Sequence, residues 1–519
     1  MSASREKKQR QGGGPSEKAM QASQKKAAYK RKVRTYTAIG IVVVVLVAAL
    51  LIWNSGFFQG RALAATVGDT QLNAAELSYY YYNERYMYAA YGMIDTSLPD
   101  DEQIYNEEEG TTYHDYFLEQ ALLAAQSDQS LYDAAIQDGY TQEDIQEDLD
   151  ASIASARTSA SNSGYSYRSY LVSRYGKLMS PSIYERLLAK SLLASLYTQD
   201  KTQEFYDSYT AEELEAHYQE HADEFDEFVY SYLSFTPETE ESAEEGEQTE
   251  AQTEDQTEAE LEAALAAAQE QAQAALAAYE QGTEVADLIE QFSPAASSDH
   301  TTVTGSDSIA ETYRDELLEL GENQGAVVEN GDEGYYLVIF HSRSRNEDLT
   351  ADVRHILVRA ETGTDEEGNV TEPSDETWEA ALAEAEDILA QYEAGELTAE
   401  AFGALANEYS DDTGSNTTGG LYEAVARTDS YVPEFLDWIF ADGRQVGNTG
   451  IVRHEGDVES SGSYWGYHIM YFQDWNEAEW ILDVRNAMSQ EEITALQDGL
   501  LENDAYATSV ADGAKYLGA

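Results

Sequence analysis

The spacing of apolar residues changes along the chain, and each change marks an expected element. Between Thr35 and Gly60 no charged residue occurs, and the centre, AIGIVVVVLVAALLIW, is wholly apolar. Roughly 20 such residues cross a bilayer as a helix. From Ala64 to Glu227, apolar residues recur at helical spacing in stretches broken by Gly or by Ser and Asn, after a short strand-and-turn signal at ATVGDTQL. That pattern predicts a helical domain. Further on the period shortens. In VRHILV (Val353 to Val358), Val353, His355 and Leu357 share one face of a strand, and Arg354, Ile356 and Val358 share the other. GYHIMYF (Gly466 to Phe472) reads as a second strand, with aromatic and β-branched bias and His468 between apolar neighbours. Between them TWEAALAEAEDILAQYEAG and AFGALANEYS carry amphipathic helix patterns, and VPEFLDWIF a shorter one. The order is strand, helix, helix, turn, short helix, strands, which predicts an α+β sandwich with helices on an antiparallel sheet.

The same order occurs once before. FVYSYLSF stands where VRHILV stands later, AAYEQGTEVADLIEQFSPAA parallels AQYEAGELTAEAFGALANEYSDD, and DEGYYLVIF parallels YWGYHIMYF. Two tandem copies of one α+β fold are expected. This alignment sets Ser231 against His355, Ala295 against Asp412 and Tyr336 against His468, so the first copy is degenerate. Both copies carry an insertion after the first strand, at 237–260 and 361–377, acidic and free of Lys and Arg. Such segments are expected to be loose.

Charge divides the chain further. Its net charge is -69, yet Met1 to Arg34 holds eleven Lys/Arg and two Glu. A basic flank beside an apolar span keeps the N-terminus cytoplasmic and the acidic remainder outside. Cleavage as a signal peptide is the competing expectation, because Ala62, Leu63 and Ala64 place small residues at cleavage spacing. With no cysteine, neither disulfides nor a lipid-bearing Cys contribute. The acidic exterior repels phosphate and excludes nucleic acid as a partner. His217 and His221 stand at i and i+4 with Glu213 and Glu220 close by, but no motif fixes a third ligand. A solvated helix face is expected there, and no metal or cofactor. In the cluster Tyr79 to Tyr82, Tyr86, Tyr88 and Tyr91, four consecutive residues cover every face of a helix, so some of these phenols are expected at the surface, suited to loose binding of unfolded chains; amphipathic packing with one ring left at the surface is the alternative.

The four blocks VRHILV, FGALANEYSDDTGSNTTGG, VPEFLDWIF and GYHIMYF, in that order over Val353 to Phe472, resemble a parvulin-type peptidyl-prolyl cis/trans isomerase domain. The helical region with TAEELEAHYQEHADEF leading into the first strand resembles extracytoplasmic foldases of the SurA/PrsA type. The resemblance implies paired histidines, His355 and His468, at the floor of a catalytic site, with Asp412 beside the substrate carbonyl. It implies Phe435 and Phe440 as proline-pocket residues, with Leu421 or Tyr422 as a wall. Trp465, where many members carry a small polar residue, is included in the substrate-binding set, and LYEAV replaces a GDLG-like run.

The expected organisation is a basic tail (1–34), a transmembrane signal-anchor (35–60), a helical chaperone domain (61–227), a degenerate parvulin-like domain (228–346), a parvulin domain (351–477) and a C-terminal helix and tail (478–519). The resemblance implies that this tail returns to the helical domain. The expected function is isomerisation of unphosphorylated Xaa-Pro in unfolded or newly exported polypeptides, by a protein held in the cell membrane through one span. A holdase with catalytically inactive parvulin domains is the alternative. A cation-binding scaffold, indicated by the acidity, is a third reading and predicts calcium-dependent stability. Oligomeric state is left open.

Overall fold

The computed structural model describes residues 17–54, 56–237, 254–364, 370–458 and 462–518. It divides into two compact units, one comprising the chain up to Asp207 together with Ser489–Ala519, the other Ser208–Met488.

The first unit opens with helix α1 (Glu17–Asn54), which contains the apolar run. Among the described residues no helix is long and apolar enough to cross a membrane. Part of the expected 35–60 span, including Ala49 and Leu51 to Ser55, lies outside the described side chains. After it come β1 (Leu63–Val67), β2 (Thr70–Asn73), α2 (Ala74–Ala90), α3 (Tyr113–Asp138), α4 (Gln146–Asn162), α5 (Tyr167–Tyr175) and α6 (Pro181–Ser208). Asn73 with Glu76 and Thr112 with Asp115 form capping boxes that start α2 and α3. Gly139 ends α3 in the left-handed conformation. The strand Thr508–Val510 pairs with β1, and Leu496 and Leu500 pack against the cluster of Leu131, Ala135, Leu193 and Tyr197.

The tyrosine run is more buried than expected. Tyr79, Tyr80 and Tyr81 are buried and Tyr82 is half-buried, because α2 is enclosed by α3, α5, the β1–β2 hairpin and the C-terminal turn. Burial of a phenol requires a partner for its hydroxyl. Tyr80 donates to Asp128 at 2.7 Å and Tyr81 to buried Asp100 at 2.8 Å. The exposed tyrosines are further along, at Tyr86 and Tyr91.

The second unit begins with α7 (Ala211–Glu220). His217 and His221 stack at 4.4 Å, and His221 Nδ1 lies 2.8 Å from Glu224. Among the described residues no group of three or more His, Cys, Asp or Glu is arranged to hold a metal. The first α+β layer follows: β3 (Glu227–Phe235), α8 (Glu254–Glu280), α9 (Val285–Phe292), β4 (Ala296–Thr304), α10 (Glu311–Glu319), β5 (Gln324–Glu329) and β6 (Tyr335–Ser344). The second comprises β7 (Leu349–Arg359), α11 (Asp375–Glu393), α12 (Ala399–Tyr409), β8 (Leu421–Val425), α13 (Pro433–Ile439), β9 (Thr449–His454) and β10 (Gly466–Ala478), after which α14 (Glu479–Leu501) leaves the sheet. Both sheets are four-stranded and antiparallel, in the orders β4-β3-β6-β5 and β8-β7-β10-β9. They are the same arrangement.

Of the two acidic insertions, 238–253 and 365–369 lie outside the described residues. The flanking parts are ordered rather than loose. From Glu254 the first insertion is already helical, and Gly363–Thr364 pairs with Val370–Thr371 in the second.

Strand alternation decides the two faces of the second sheet. Ile356, Val358, Tyr467, Ile469 and Tyr471 pack under α11 and α12 with Ala381, Ala385, Ile388 and Phe402. Val353, Met470 and Phe472 turn the other way, toward Phe435 and Ile439 of α13. Pro433 at the start of α13 supplies a pre-set backbone angle where no N–H is needed. His355 and His468 belong to this second face.

Candidate active site

His355 lies opposite Met470, and His468 opposite Leu357, so the histidines are diagonal neighbours on adjacent central strands. Their rings reach each other: Nδ1 to Nδ1 is 3.0 Å. Both residues are buried.

The chain after α12 is fastened along β7, which brings Asp412 to the pair. Ser410 Oγ accepts from the Leu357 N–H at 3.1 Å, the Asp411 N–H donates to the Leu357 carbonyl at 2.8 Å, and the Asp411 carboxylate accepts from the Arg359 N–H at 2.9 Å. Asp412 Oδ2 then sits 2.9 Å from His355 Nε2. It also accepts from the hydroxyls of Ser415 and, at 3.1 Å, Tyr422, while Oδ1 accepts from the Gly414 N–H at 3.1 Å. These donors, the His355 hydrogen bond first among them, hold the Asp412 carboxyl well below the usual carboxylate range. At the far end, the Tyr464 hydroxyl lies 3.1 Å from His468 Nε2. Burial, helped by His355 and His454, lowers the His468 imidazole to about 3. His468 is therefore neutral at pH 7.

The donors along this chain follow from its ends. An ionised Asp412 only accepts, so His355 Nε2 carries a proton. With His355 neutral its Nδ1 accepts from His468 Nδ1–H, and His468 Nε2 accepts from Tyr464. A second proton on His355 reverses both of those bonds. Tyr464–His468–His355–Asp412 is thus one polar line with two consistent states.

An apolar wall stands against it. The Phe435 ring is 5.5 Å from His355 and 5.6 Å from His468, Tyr422 is 5.1 Å from His355, and Tyr431 packs on both Phe435 and Tyr422. Burial and the Asp412 charge push the Tyr422 phenol up to about 12, so it remains a donor at neutral pH.

Residues 335–469 match the family of the PPIC-type PPIASE domain. Residues 335–469 thus form a domain of the PPIC type. Solved structures similar to the chain include PrsA from Bacillus subtilis, 13% identical over 78% of this chain and 91% of that one, with a TM-score of 0.27. Foldase protein PrsA from Streptococcus pneumoniae is 10% identical over 77% and 95%, with a TM-score of 0.22. The peptidylprolyl isomerase PrsA of Bacillus anthracis is 20% identical over 30% of this chain, with a TM-score of 0.17, and the chain covers only 58% of it. No curated protein matches the chain.

Within the PPIC-type domain, the structure brings His355, His468, Asp412, Phe435 and Tyr422 together. It places two other expected residues, Trp465 and Leu421, on the opposite face, and a third, Phe440, further along the Phe435 cluster. Trp465 is buried with Ile356, Tyr467 and Ile469 on the helix-covered face, two positions before Tyr467 in the alternation. Leu421 pairs with Arg354 and so shares that face, whereas the next residue, Tyr422, shares the face of Val353. Phe440 packs on the cluster of Phe435, Ile439 and Met470, its ring tilted against Trp475 at 6.0 Å beneath the Arg427 guanidinium. Ser415, Tyr431 and Tyr464, which sequence reasoning did not single out, complete the site instead.

The degenerate copy requires a correction of one residue. Strand pairing puts Tyr232, not Ser231, opposite Val338, as His355 lies opposite Met470. A slip of one reverses the face of every side chain. Ser231 accordingly points away, donating to the Asp299 carbonyl at 2.6 Å and lying 2.6 Å from His341 Nε2. Tyr232 and Tyr336 stand where the PPIC-type domain has its two imidazoles, both packed on Tyr313.

Proposed function

We propose that the PPIC-type domain catalyses cis/trans isomerisation of unmodified Xaa-Pro bonds in polypeptides that fold outside the membrane. The observation that carries this reading is the Tyr464–His468–His355–Asp412 line set against the Phe435 wall. The barrier to rotation, about 18–20 kcal/mol, comes from conjugation that puts negative charge on the carbonyl oxygen and positive charge on nitrogen. A fixed carboxylate near that oxygen disfavours the charge-separated form and so weakens the double-bond character. The twisted amide, which lacks that charge separation, is penalised less, and this difference is catalysis. Phe435, Tyr422 and Tyr431 offer the proline ring an apolar seat. No covalent bond needs to break.

Two observations support the choice of substrate. The insertion beside β7 is acidic and without Lys or Arg, and Asp412 adds a fixed negative charge, so a phosphorylated residue before proline meets repulsion. The apolar side chains from Ile39 to Val47 of α1 are all exposed, with a basic flank before them, which favours a membrane anchor and an outward-facing domain. The test is a coupled isomerisation assay on paired peptides, Ala-Pro against phosphoserine-Pro. Faster catalysis on Ala-Pro is expected; a preference for the phosphorylated peptide would overturn this assignment of substrate.

A further inference from the structure

The cations of the chain are not spread as its acids are. After Asp69 the longest stretch without Asp or Glu runs from Ala151 to Tyr184, and it holds Arg157, Arg168, Arg174 and Lys177. It covers most of α4, the whole of α5 and the turn that follows. Arg157 faces Glu185 at 3.6 Å, but among the described residues no carboxylate lies within ion-pair distance of Arg168, Arg174 or Lys177. Arg168 and Lys177 are exposed, and the Arg174 guanidinium lies over the Tyr86 ring at 3.2 Å. With 99 Asp and Glu in the chain, three cations unpaired on one short segment mark a surface whose counter-anion comes from outside the chain.

The position of the segment says which anion fits. Gly56, two residues beyond α1, packs directly on it: a Cβ at Gly56 would lie 2.9 Å from the Leu178 side chain and 3.9 Å from the Lys177 carbonyl. The apolar run of α1 ends at Trp53. Three residues extend at most about 11 Å, so Lys177 stands within about 15 Å of that end. The headgroup layer adds about 5–8 Å to each side of the hydrocarbon, so a lysine side chain at this distance reaches its phosphates. Phe57 and Phe58, exposed by 48% and 56%, lie between. The Arg61 guanidinium covers the Phe57 ring at 3.9 Å and also has no carboxylate partner among the described residues. The C-terminal turn packed on Gln59–Arg61 adds one charge of each sign, Asp512 and Lys515, both exposed. Asp512 is the one acid among these groups.

We propose that α5, the turn after it and the Phe57–Arg61 segment form a lipid-facing surface that binds the anionic phosphodiester headgroups of the bilayer entered by α1. The inference rests on the membrane anchor proposed above. An anchor alone fixes only distance from the bilayer, whereas headgroups held by Arg168, Lys177 and Arg61 fix which side of the first unit meets it. The acidic remainder of the chain is repelled by the same lipids, which sharpens that choice.

The chain has no cysteine, so Ser173→Cys, exposed on α5, carries a single fluorophore. The full chain is placed in nanodiscs that contain a lipid with a nitroxide on its headgroup, made of phosphatidylcholine alone or with phosphatidylglycerol added. Quenching should be stronger with phosphatidylglycerol and should fall as salt rises. Arg168→Gln with Lys177→Gln should lower the ratio of seated to unseated molecules about tenfold or more, and Arg168→Lys with Lys177→Arg should retain it. Both side chains are exposed, so hydrogen exchange in α5 should be the same for all three forms in phosphatidylcholine discs. Equal quenching in the two kinds of disc, or no loss in the Gln variant, would overturn the proposal and leave the anchor in place. A chain that eluted free of the discs would instead remove the anchor, and the proposal with it. Quenching set by the number of chains per disc rather than by lipid charge would make a second copy the occupant and overturn it too.

Discussion

Asp412 accepts four hydrogen bonds, and that count is why its position can be trusted to a mechanism. Its neighbour His468 is the complementary case, an imidazole kept neutral because burial penalises its charged form. The two shifts act on stability with the same sign. The depressed carboxyl stabilises the fold above its unfolded value near 3.9, and that contribution is lost as pH falls toward its folded value. The depressed imidazole favours the fold above about 6.5, and its contribution is lost as pH falls from there to about 3. Nitrogen-15 NMR should therefore show the His468 ring with one bound proton rather than two from pH 8 down to about 4. A doubly protonated ring near pH 6 would mean that it is not buried as described. His355 and His468 are legible in the sequence because alternation puts each on a chosen face of a strand. Trp465 was equally legible by that rule, since it alternates with Tyr467 and Ile469 onto the helix-covered face; placing it in the substrate set ignored its own periodicity. Tyr464 and Ser415 carry no periodic signal. Both sit in loops, and their hydroxyls reach the site through backbone bends that pattern does not encode.

Those bends have an identifiable source at the scale of elements. Gly420 has φ of +67°, and a Cβ there would lie 2.1 Å from the His355 carbonyl oxygen. Its own carbonyl accepts from the His355 N–H at 2.8 Å, so the loop bearing Asp412 and Ser415 is fixed to β7 at His355. Gly420→Ala should cost more than about 2 kcal/mol and speed amide exchange at His355, because strain and collision add. Gly443→Ala is the control. It too is left-handed, at φ +80°, but meets nothing within 4 Å, and should cost only about 1–2 kcal/mol. Equal effects of the two would show that the close approach at Gly420 has no consequence. Element order and type were open to pattern reading except at β8, where the pattern indicated only a turn, and the repeated strand blocks correspond to two sheets of one strand order. The registers were less accessible. Strand pairing moved the comparison with His355 from Ser231 to Tyr232, because FVYSYLSF and VRHILV can be matched one residue apart with a similar apolar pattern. In α2 the consecutive tyrosines are covered because the first turns of the helix are enclosed, and the exposed rings of the cluster, Tyr86 and Tyr91, come after them.

For the molecule as a whole, the net charge of -69 acts against compactness. Raising sodium chloride from low concentration to about 0.15 M shortens the screening length to about 8 Å and should raise the unfolding midpoint. Calcium at matched ionic strength should add little; a large calcium-specific rise would favour a cation-binding scaffold instead. Charge bears on the stability of the whole chain, but the central claim is chemical. It is tested most directly by exchange NMR on a short Ala-Pro peptide, with the full chain, Asp412→Ala and His468→Ala compared at equal concentration. A barrier lowered by about 4 kcal/mol speeds rotation roughly a thousandfold. The parent should give exchange far above the spontaneous rate, and both folded variants should fall about tenfold or more below it. Exchange left at the spontaneous rate by a well-folded parent would contradict the account and leave a peptide-holding domain in place of an isomerase.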